Sequence, residues 1–330
     1  MLQPLASSHP HDSARKTLLI ERTGLEALSS ALNNQLGASF DAAVEAIFNC
    51  SGRLAVTGIG KSGHIGRKIQ ATLASTGTPS LFIHPAEAAH GDLGMLAEGD
   101  LILALSNSGE TSELAAILTY ASRRSIRVIA ITAVEDSALA RAANITLLLP
   151  RAPEACPMGL APTTSTLMQL ALGDALAIAL LERRNFTAED FGTFHPGGRL
   201  GAQLRPVREL MHSGDTLPLG KPELPLQEVI LEMTRKTFGC MGVIDHEGAL
   251  CGLITDADLR HALLGNMQTT TARDVMNTKP ITTTPKTLAQ DALRQMNART
   301  KPVTSLFVLN DDRQPVGIIH LHDLLRAGLR

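Results

Sequence analysis

Between residues 53 and 183 five short apolar runs alternate with stretches of helical spacing, and this alternation fixes the architecture. The runs are 53–57, 80–84, 101–105, 127–132 and 145–149. They are continuously apolar rather than alternating, so each strand must be covered on both faces. Strands of that kind separated by single helices predict a buried, doubly wound parallel sheet, an α/β fold. Before the first run, Leu25, Leu28, Leu32, Leu36, Phe40, Val44 and Ile47 predict two helices joined near residues 33–37. The run 167–181 is the most apolar of the chain, but Gln169 and Asp174 sit within it. It reads as a buried helix rather than a membrane span.

In a sheet of this class ligands sit beyond the carboxyl ends of the strands. Three loops leaving those ends carry chemistry. The third run ends in Ser106-Asn107-Ser108-Gly109-Glu110-Thr111 before helical spacing resumes. Ser106, Ser108 and Thr111 offer hydroxyl donors, Gly109 lets the backbone turn, and a helix start offers free N–H groups. The loop is read either as a phosphate cradle or as an ordinary capped helix start. The first run ends in Gly58-Ile59-Gly60-Lys61-Ser62-Gly63. That spacing matches a dinucleotide fingerprint, but the second strand ends in His84-Pro85 instead of an acidic residue. It is not a complete phosphate-binding P-loop either, because Ala55 stands where a Gly is needed. What remains is an anion-friendly turn carrying a cation, Lys61, and a hydroxyl, Ser62. The second strand leads to His84, His90 and Asp92, a weak metal set in which His90 suits acid–base chemistry. Glu113 is read either as a capping-box residue or as a carboxylate beside the phosphate. Glu154 and His195 are read either as loop residues or as further acid–base groups. Together these residues suit proton transfer next to a carbonyl.

The chain of 330 residues is long enough for about two domains. Beyond residue 205 the pattern changes to two copies of one unit, 210–264 and 275–329. Gly252-Leu-Ile-Thr-Asp-Ala-Asp-Leu259 matches Gly317-Ile-Ile-His-Leu-His-Asp-Leu324, each copy reading helix, strand, turn, strand, helix. One such unit is too small to bury much core alone, so a fused pair is expected. A net charge of −2, with one Tyr and no Trp, argues against a nucleic-acid partner. Four cysteines without zinc spacing read as reduced thiols of a cytoplasmic protein. The first 17 residues lack the apolar core of a signal peptide and read as a disordered tail.

The Thr57–Gly63 turn and the Ser106–Glu113 loop resemble those of a sugar isomerase (SIS) domain. The paired units resemble cystathionine-β-synthase (CBS) motifs. The order of the two, with the segments 84–94, 154–163 and 194–198, resembles the bacterial arabinose 5-phosphate isomerases over nearly the whole chain after residue 18. The resemblance implies an SIS-type five-stranded sheet over 18–205 and a C-terminal tandem CBS (α+β) module, with repeats at 206–268 and 269–330. It implies interconversion of ribulose 5-phosphate and arabinose 5-phosphate through a cis-enediol, the entry to the Kdo sugar of lipopolysaccharide. It carries catalytic roles to Lys61, Glu113, Glu154 and His195. Substrate contacts carry over to Ser62, Gly77, Thr78, His90, Ser106, Ser108 and Thr111. His84 corresponds to a position that takes up inhibitory zinc. No cofactor is required, no membrane is involved, and a homotetramer with sites shared between subunits is expected. Thr255, Asp258 and Asp323 correspond to nucleotide contacts of CBS pairs, although His320 replaces the second Thr; a ligand-free dimerisation module is the other reading. Two alternatives to the pentose-phosphate enzyme stay open. One is an isomerase of a different sugar phosphate, and the other is a sugar-phosphate-sensing regulator.

Overall fold

The computed structural model describes residues 9–262, 268–298 and 302–329. Its contacts divide the chain into two compact units, Met1–Phe186 and Thr187–Arg330.

The first unit opens with two helices, α1 (Pro10–Leu32) and α2 (Gln35–Phe48). Residues 10–17, expected as tail, are therefore helical, while 1–8 lie outside the described residues. Pro10 in the first turn and Asp12 near the amino terminus start α1. Residues 10–16 are all exposed, so they carry no apolar stripe that a periodicity reading can detect.

Strands and helices then alternate: β1 (Leu54–Gly58), α3 (Gly60–Ser75), β2 (Ser80–Ile83), α4 (Pro85–Ala88), β3 (Leu101–Leu105), α5 (Ala115–Arg123), β4 (Arg127–Thr132), α6 (Ala138–Ala142), β5 (Ile145–Leu148) and α7 (Thr164–Arg183). The five strands form one parallel sheet in the order β2-β1-β3-β4-β5. Successive side chains point to opposite faces. Leu54, Val56, Leu101, Leu103 and Leu105 pack with α1, α2, α3 and α7. Ala55, Ile102, Ala104, Val128 and Ala130 pack with α4, α5 and α6. This two-sided burial is why the strands read as unbroken apolar runs. Chain order reverses between β1 and β3, which makes their carboxyl ends the switch point where ligands bind in such sheets.

Helices α3 and α7 both run back against the strands and lie side by side. A Cβ on Gly173 would collide with Ile69, and Lys68 pairs with Asp174 at 2.5 Å. These contacts lie at matching depth in the two helices, Ile69 after Gly60 and Gly173 after Thr164. The two amino termini therefore stand level at the carboxyl edge of the sheet. The apolar run read as a buried helix is α7, whose length and hydropathy alone would also suit a membrane span.

The second unit begins with α8 (Ala188–Phe194), opened by a Thr187–Asp190 capping box, and α9 (Gly198–Leu204). Repeat 1 contains β6 (Leu219–Gly220), α10 (Leu226–Lys236), β7 (Cys240–Ile244), β8 (Leu250–Thr255) and α11 (Asp256–Ala262). Repeat 2 contains α12 (Ala272–Val275), β9 (Thr282–Thr283), α13 (Ala289–Asn297), β10 (Ser305–Leu309), β11 (Pro315–His320) and α14 (Leu321–Arg326). Each has a three-stranded sheet, β6-β7-β8 and β11-β10-β9. The two-residue strands β6 and β9 are additions to the expected pattern, too short for periodicity to register. Leu217, Cys240, Leu250, Phe307, Leu309 and Ile318 form one apolar cluster drawn from both repeats.

Candidate active site

The loop after β3 is preformed by its own hydroxyls. Ser106 is buried, and its Oγ lies 2.7 Å from Thr111 Oγ1 while accepting the Gly109 N–H at 3.0 Å. The Ser108 hydroxyl accepts the Glu110 N–H at 3.2 Å. Asn107 O accepts from Ala133 N at 3.0 Å and from Thr132 Oγ1 at 3.3 Å, which ties the loop to the end of β4. Gly109 has φ +69°, and a Cβ there would strike Ser137. Any other residue would have to shift the loop away from α6. Thr111 precedes a 3-10 turn over Ser112–Leu114 and makes no side-chain cap. The capped-helix reading is therefore not realised. The loop hydroxyls hold the loop, and Ser108 stands exposed at its tip.

The turn after β1 lies directly beside this loop, because Gly58 pairs in register with Leu105. A Cβ on Gly63 would sit 2.6 Å from Gly58 O, so α3 can start this close to the strand only without a side chain there. Lys61 and Ser62 occupy the first turn of α3, with Lys61 exposed. No ion pair engages Lys61 among the described residues.

Glu154 lies on the segment between β5 and α7. Its Oε2 accepts hydrogen bonds from Thr163 N at 2.7 Å, Thr163 Oγ1 at 3.0 Å and Ser165 N at 3.3 Å. Burial pushes its carboxyl up, but the hydrogen bonds from Ser165 and Thr163 outweigh burial and hold it below the usual carboxylate range. The carboxylate thus sits at the amino terminus of a 20-residue helix, where the dipole favours negative charge. Since the starts of α3 and α7 are level, Lys61 and Glu154 belong to the same edge of the sheet as the Ser106 loop.

Glu113 is exposed and accepts the Ser112 hydroxyl at 3.0 Å. It forms no capping box. His84 caps α4, its Nδ1 accepting from Ala86 N at 3.3 Å. His90 and Asp92 are exposed on the same stretch. Among the described residues no group of three metal-ligating side chains comes together, so the His84–His90–Asp92 set is not assembled as a metal centre. Gly77 and Thr78 do not join the loops of their own chain. They follow α3, which has run back to the amino ends of the strands, and Leu54 N bonds to Pro79 O there. His195 lies in the second unit, after α8, with its ring stacked on Phe191 at 4.0 Å and Nδ1 2.9 Å from Phe191 O.

In the CBS-like unit, Thr255 donates to Asp258 Oδ2 from both N (2.8 Å) and Oγ1 (2.7 Å). Asp323 accepts from His320 N at 3.1 Å and lies 3.1 Å from His212 Nε2. Burial, and then the neighbouring His322, push the His320 imidazole down.

Sequence reasoning missed Thr163 and Glu110 as parts of this edge. Thr163 secures Glu154, and Glu110 Oε1 accepts the Ala138 N–H at 2.8 Å to join the β3 loop to α6. Glu154 and Thr163 are nine residues apart with a turn between them, and the Glu110 contact exists only because β4 lies beside β3.

A sequence model described as SIS domain matches residues 47–179, and one described as CBS domain matches 207–265 and 272–330. The arabinose 5-phosphate isomerase KdsD of Salmonella typhimurium is 46% identical over 320 residues, which is 96% of this chain and 95% of that protein. KdsD of Yersinia pestis is 44% identical over the same shares. The solved structure of E. coli CFT073 c3406 in complex with arabinose 5-phosphate is 39% identical, with a TM-score of 0.53, and covers 57% of this chain and 100% of that one. With an SIS fold, a CBS pair and full-length similarity to these proteins, the chain belongs to the arabinose 5-phosphate isomerase family.

Proposed function

We propose that the protein interconverts D-ribulose 5-phosphate and D-arabinose 5-phosphate, supplying the Kdo branch of lipopolysaccharide synthesis. The observation that carries this reading is the arrangement of the Ser106 loop, the Lys61 turn and Glu154 at one edge of the sheet, in a chain 46% identical to a KdsD protein over nearly its full length. The solved relative with arabinose 5-phosphate bound is 39% identical and covers 57% of the chain, which supports a sugar-phosphate substrate. Ser106, Ser108 and Thr111 hold the phosphate, aided by Ser62. Moving the carbonyl between C2 and C1 requires a base that passes a proton between adjacent carbons through a cis-enediol, and a partner for the developing oxyanion. Glu113 and Glu154 are the candidate bases, and Lys61 with His90 polarises the oxygens. His195, Gly77 and Thr78 enter only through the family resemblance. The reaction proceeds without a redox cofactor or metal, in a cytoplasmic homotetramer, and the CBS pair takes a nucleotide at Thr255 and Asp258.

Mixing purified protein with ribulose 5-phosphate in deuterated water and following it by NMR tests the reading. Arabinose 5-phosphate should appear with solvent deuterium at C2. Binding without conversion would replace the enzyme by a sensor, and conversion without deuterium would mean that the base carries the substrate's own proton from C1 to C2 before it exchanges with solvent. Glu113→Gln and Glu154→Gln separate the two carboxylates. The variant lacking the base should lose on the order of 10² to 10⁴ in turnover. Wild-type turnover in both would remove the carboxylate from the mechanism.

A further inference from the structure

At the amino edge of the sheet, opposite the catalytic loops, the turns preceding β1, β3 and β4 enclose a cleft of about 300 Å3. Cys50, Ser51, Asp100, Arg124, Ser125 and Arg127 line it. An adjoining hollow of about 400 Å3 shares Glu98, Arg124 and Ser125 with the cleft and adds Arg123. The charges do not cancel. Asp100 is buried and already engaged, since its carboxylate accepts from Arg53 N at 2.7 Å and Ala97 N at 2.9 Å and pairs with the Arg53 guanidinium at 3.6 Å. Arg123, Arg124 and Arg127 have no acidic partner within ion-pair distance among the described residues, and they outnumber Glu98, the other acid lining the cleft.

Ser125 has φ +56° at the end of α5, and Ile126 N bonds back to Ala121 O at 2.9 Å. This turn sets Ser125 on the cleft wall beside Arg124 and Arg127.

We propose that this cleft is a binding site for a small phosphomonoester, separate from the carboxyl-edge pocket. Two guanidinium groups supply forked donors that match phosphate oxygens, and the Ser51 and Ser125 hydroxyls supply single donors. The volume suits a small metabolite.

Cys50 makes the site directly readable. Its thiol lies in the cleft, 3.1 Å from Gly99 O, and burial pushes it up, so alkylation is followed at alkaline pH. The full-length protein is treated with iodoacetamide, and modification of Cys50 is timed by peptide mass spectrometry, with the half-buried Cys251 of the second unit as the internal control. Glycerol 3-phosphate should slow Cys50 alkylation saturably, about threefold when present at twice its Kd, and leave Cys251 unchanged. The Arg124→Ala/Arg127→Ala protein, altered only at exposed side chains, should lose the protection yet keep the unprotected Cys50 rate and isomerase turnover. Ser108→Ala, which weakens phosphate capture at the opposite edge, should keep the protection. Absence of protection in the wild type, its survival in the arginine variant, its loss in Ser108→Ala, or equal protection by succinate at matched ionic strength would each overturn the assignment.

Discussion

Three hydrogen bonds favour the charged form of Glu154, and this makes its energetic signature readable by titration. A carboxyl held below its ordinary value of 4.5 adds stability that is fully present above that value and is lost as pH falls through the folded-state value. Glu154→Gln should therefore be less stable than wild type near neutrality, with the gap closing as pH drops through the acid range. Melting temperature against pH for the two proteins checks this, and a gap that persists in acid would show that the carboxylate charge is not what caps α7. Gly109 allows a second residue-level prediction. Gly109→Ala adds a Cβ at φ +69° against Ser137, a strain of about 1 to 3 kcal/mol. Chemical denaturation should show the loss of stability, and the Michaelis constant should rise as the phosphate loop shifts. Both residues were visible in the sequence as types in loops. What the sequence did not carry was their partners, Thr163 and Ser137, since each contact depends on where a neighbouring element packs.

Elements were legible wherever both faces of a strand or one stripe of a helix were buried, as in β3 and α7. They were illegible where nothing was buried, as in the first turns of α1, or where two residues make the strand, as in β6 and β9. The pairing of α3 with α7 is the element-scale feature that sets the site, because it brings Lys61 and Glu154 to one level. It depends on Gly173, where a methyl would be driven into Ile69. Gly173→Ala should cost about 1 to 3 kcal/mol by overpacking and separate the two helix starts. A fall in melting temperature accompanied by a larger fall in turnover supports the link between helix spacing and chemistry, whereas unchanged turnover per folded molecule would break it. One turn before Gly173, Gln169 is fully buried and neither amide atom has a hydrogen-bond partner among the described residues. An unpaired buried amide costs about 1 to 3 kcal/mol, so Gln169→Leu should raise the melting temperature by a few degrees. Calorimetry showing a decrease would mean that the amide is engaged in the folded protein.

At the scale of the whole second unit, the repeat read from sequence proves to be an exchange rather than two stacked copies. His212, in the leading segment of repeat 1, bridges to Ile318 of repeat 2, and Asn277, in the leading segment of repeat 2, bridges to Leu253 of repeat 1. The side chains follow the same rule. A Cβ on Gly252 would meet Met276, and one on Gly317 would meet Met211. Each pair of equivalents differs by the 65 positions that separate the repeats in sequence. The offset revealed two copies but not the crossing, because pattern matching reports likeness and not which copy a segment pairs with. Each repeat thus closes its sheet with the other's leading segment, and neither completes its core alone. Gly252→Ala and Gly317→Ala should consequently behave as equivalents, each forcing a methionine aside at a cost of about 1 to 3 kcal/mol. Each should also loosen both sheets together. Amide hydrogen exchange measured separately on β7–β8 and β10–β11 tests this. Faster exchange in both sheets in either variant is the outcome of an interlocked pair. Acceleration confined to the substituted repeat would mean that the bridges are peripheral and that each copy holds its own fold.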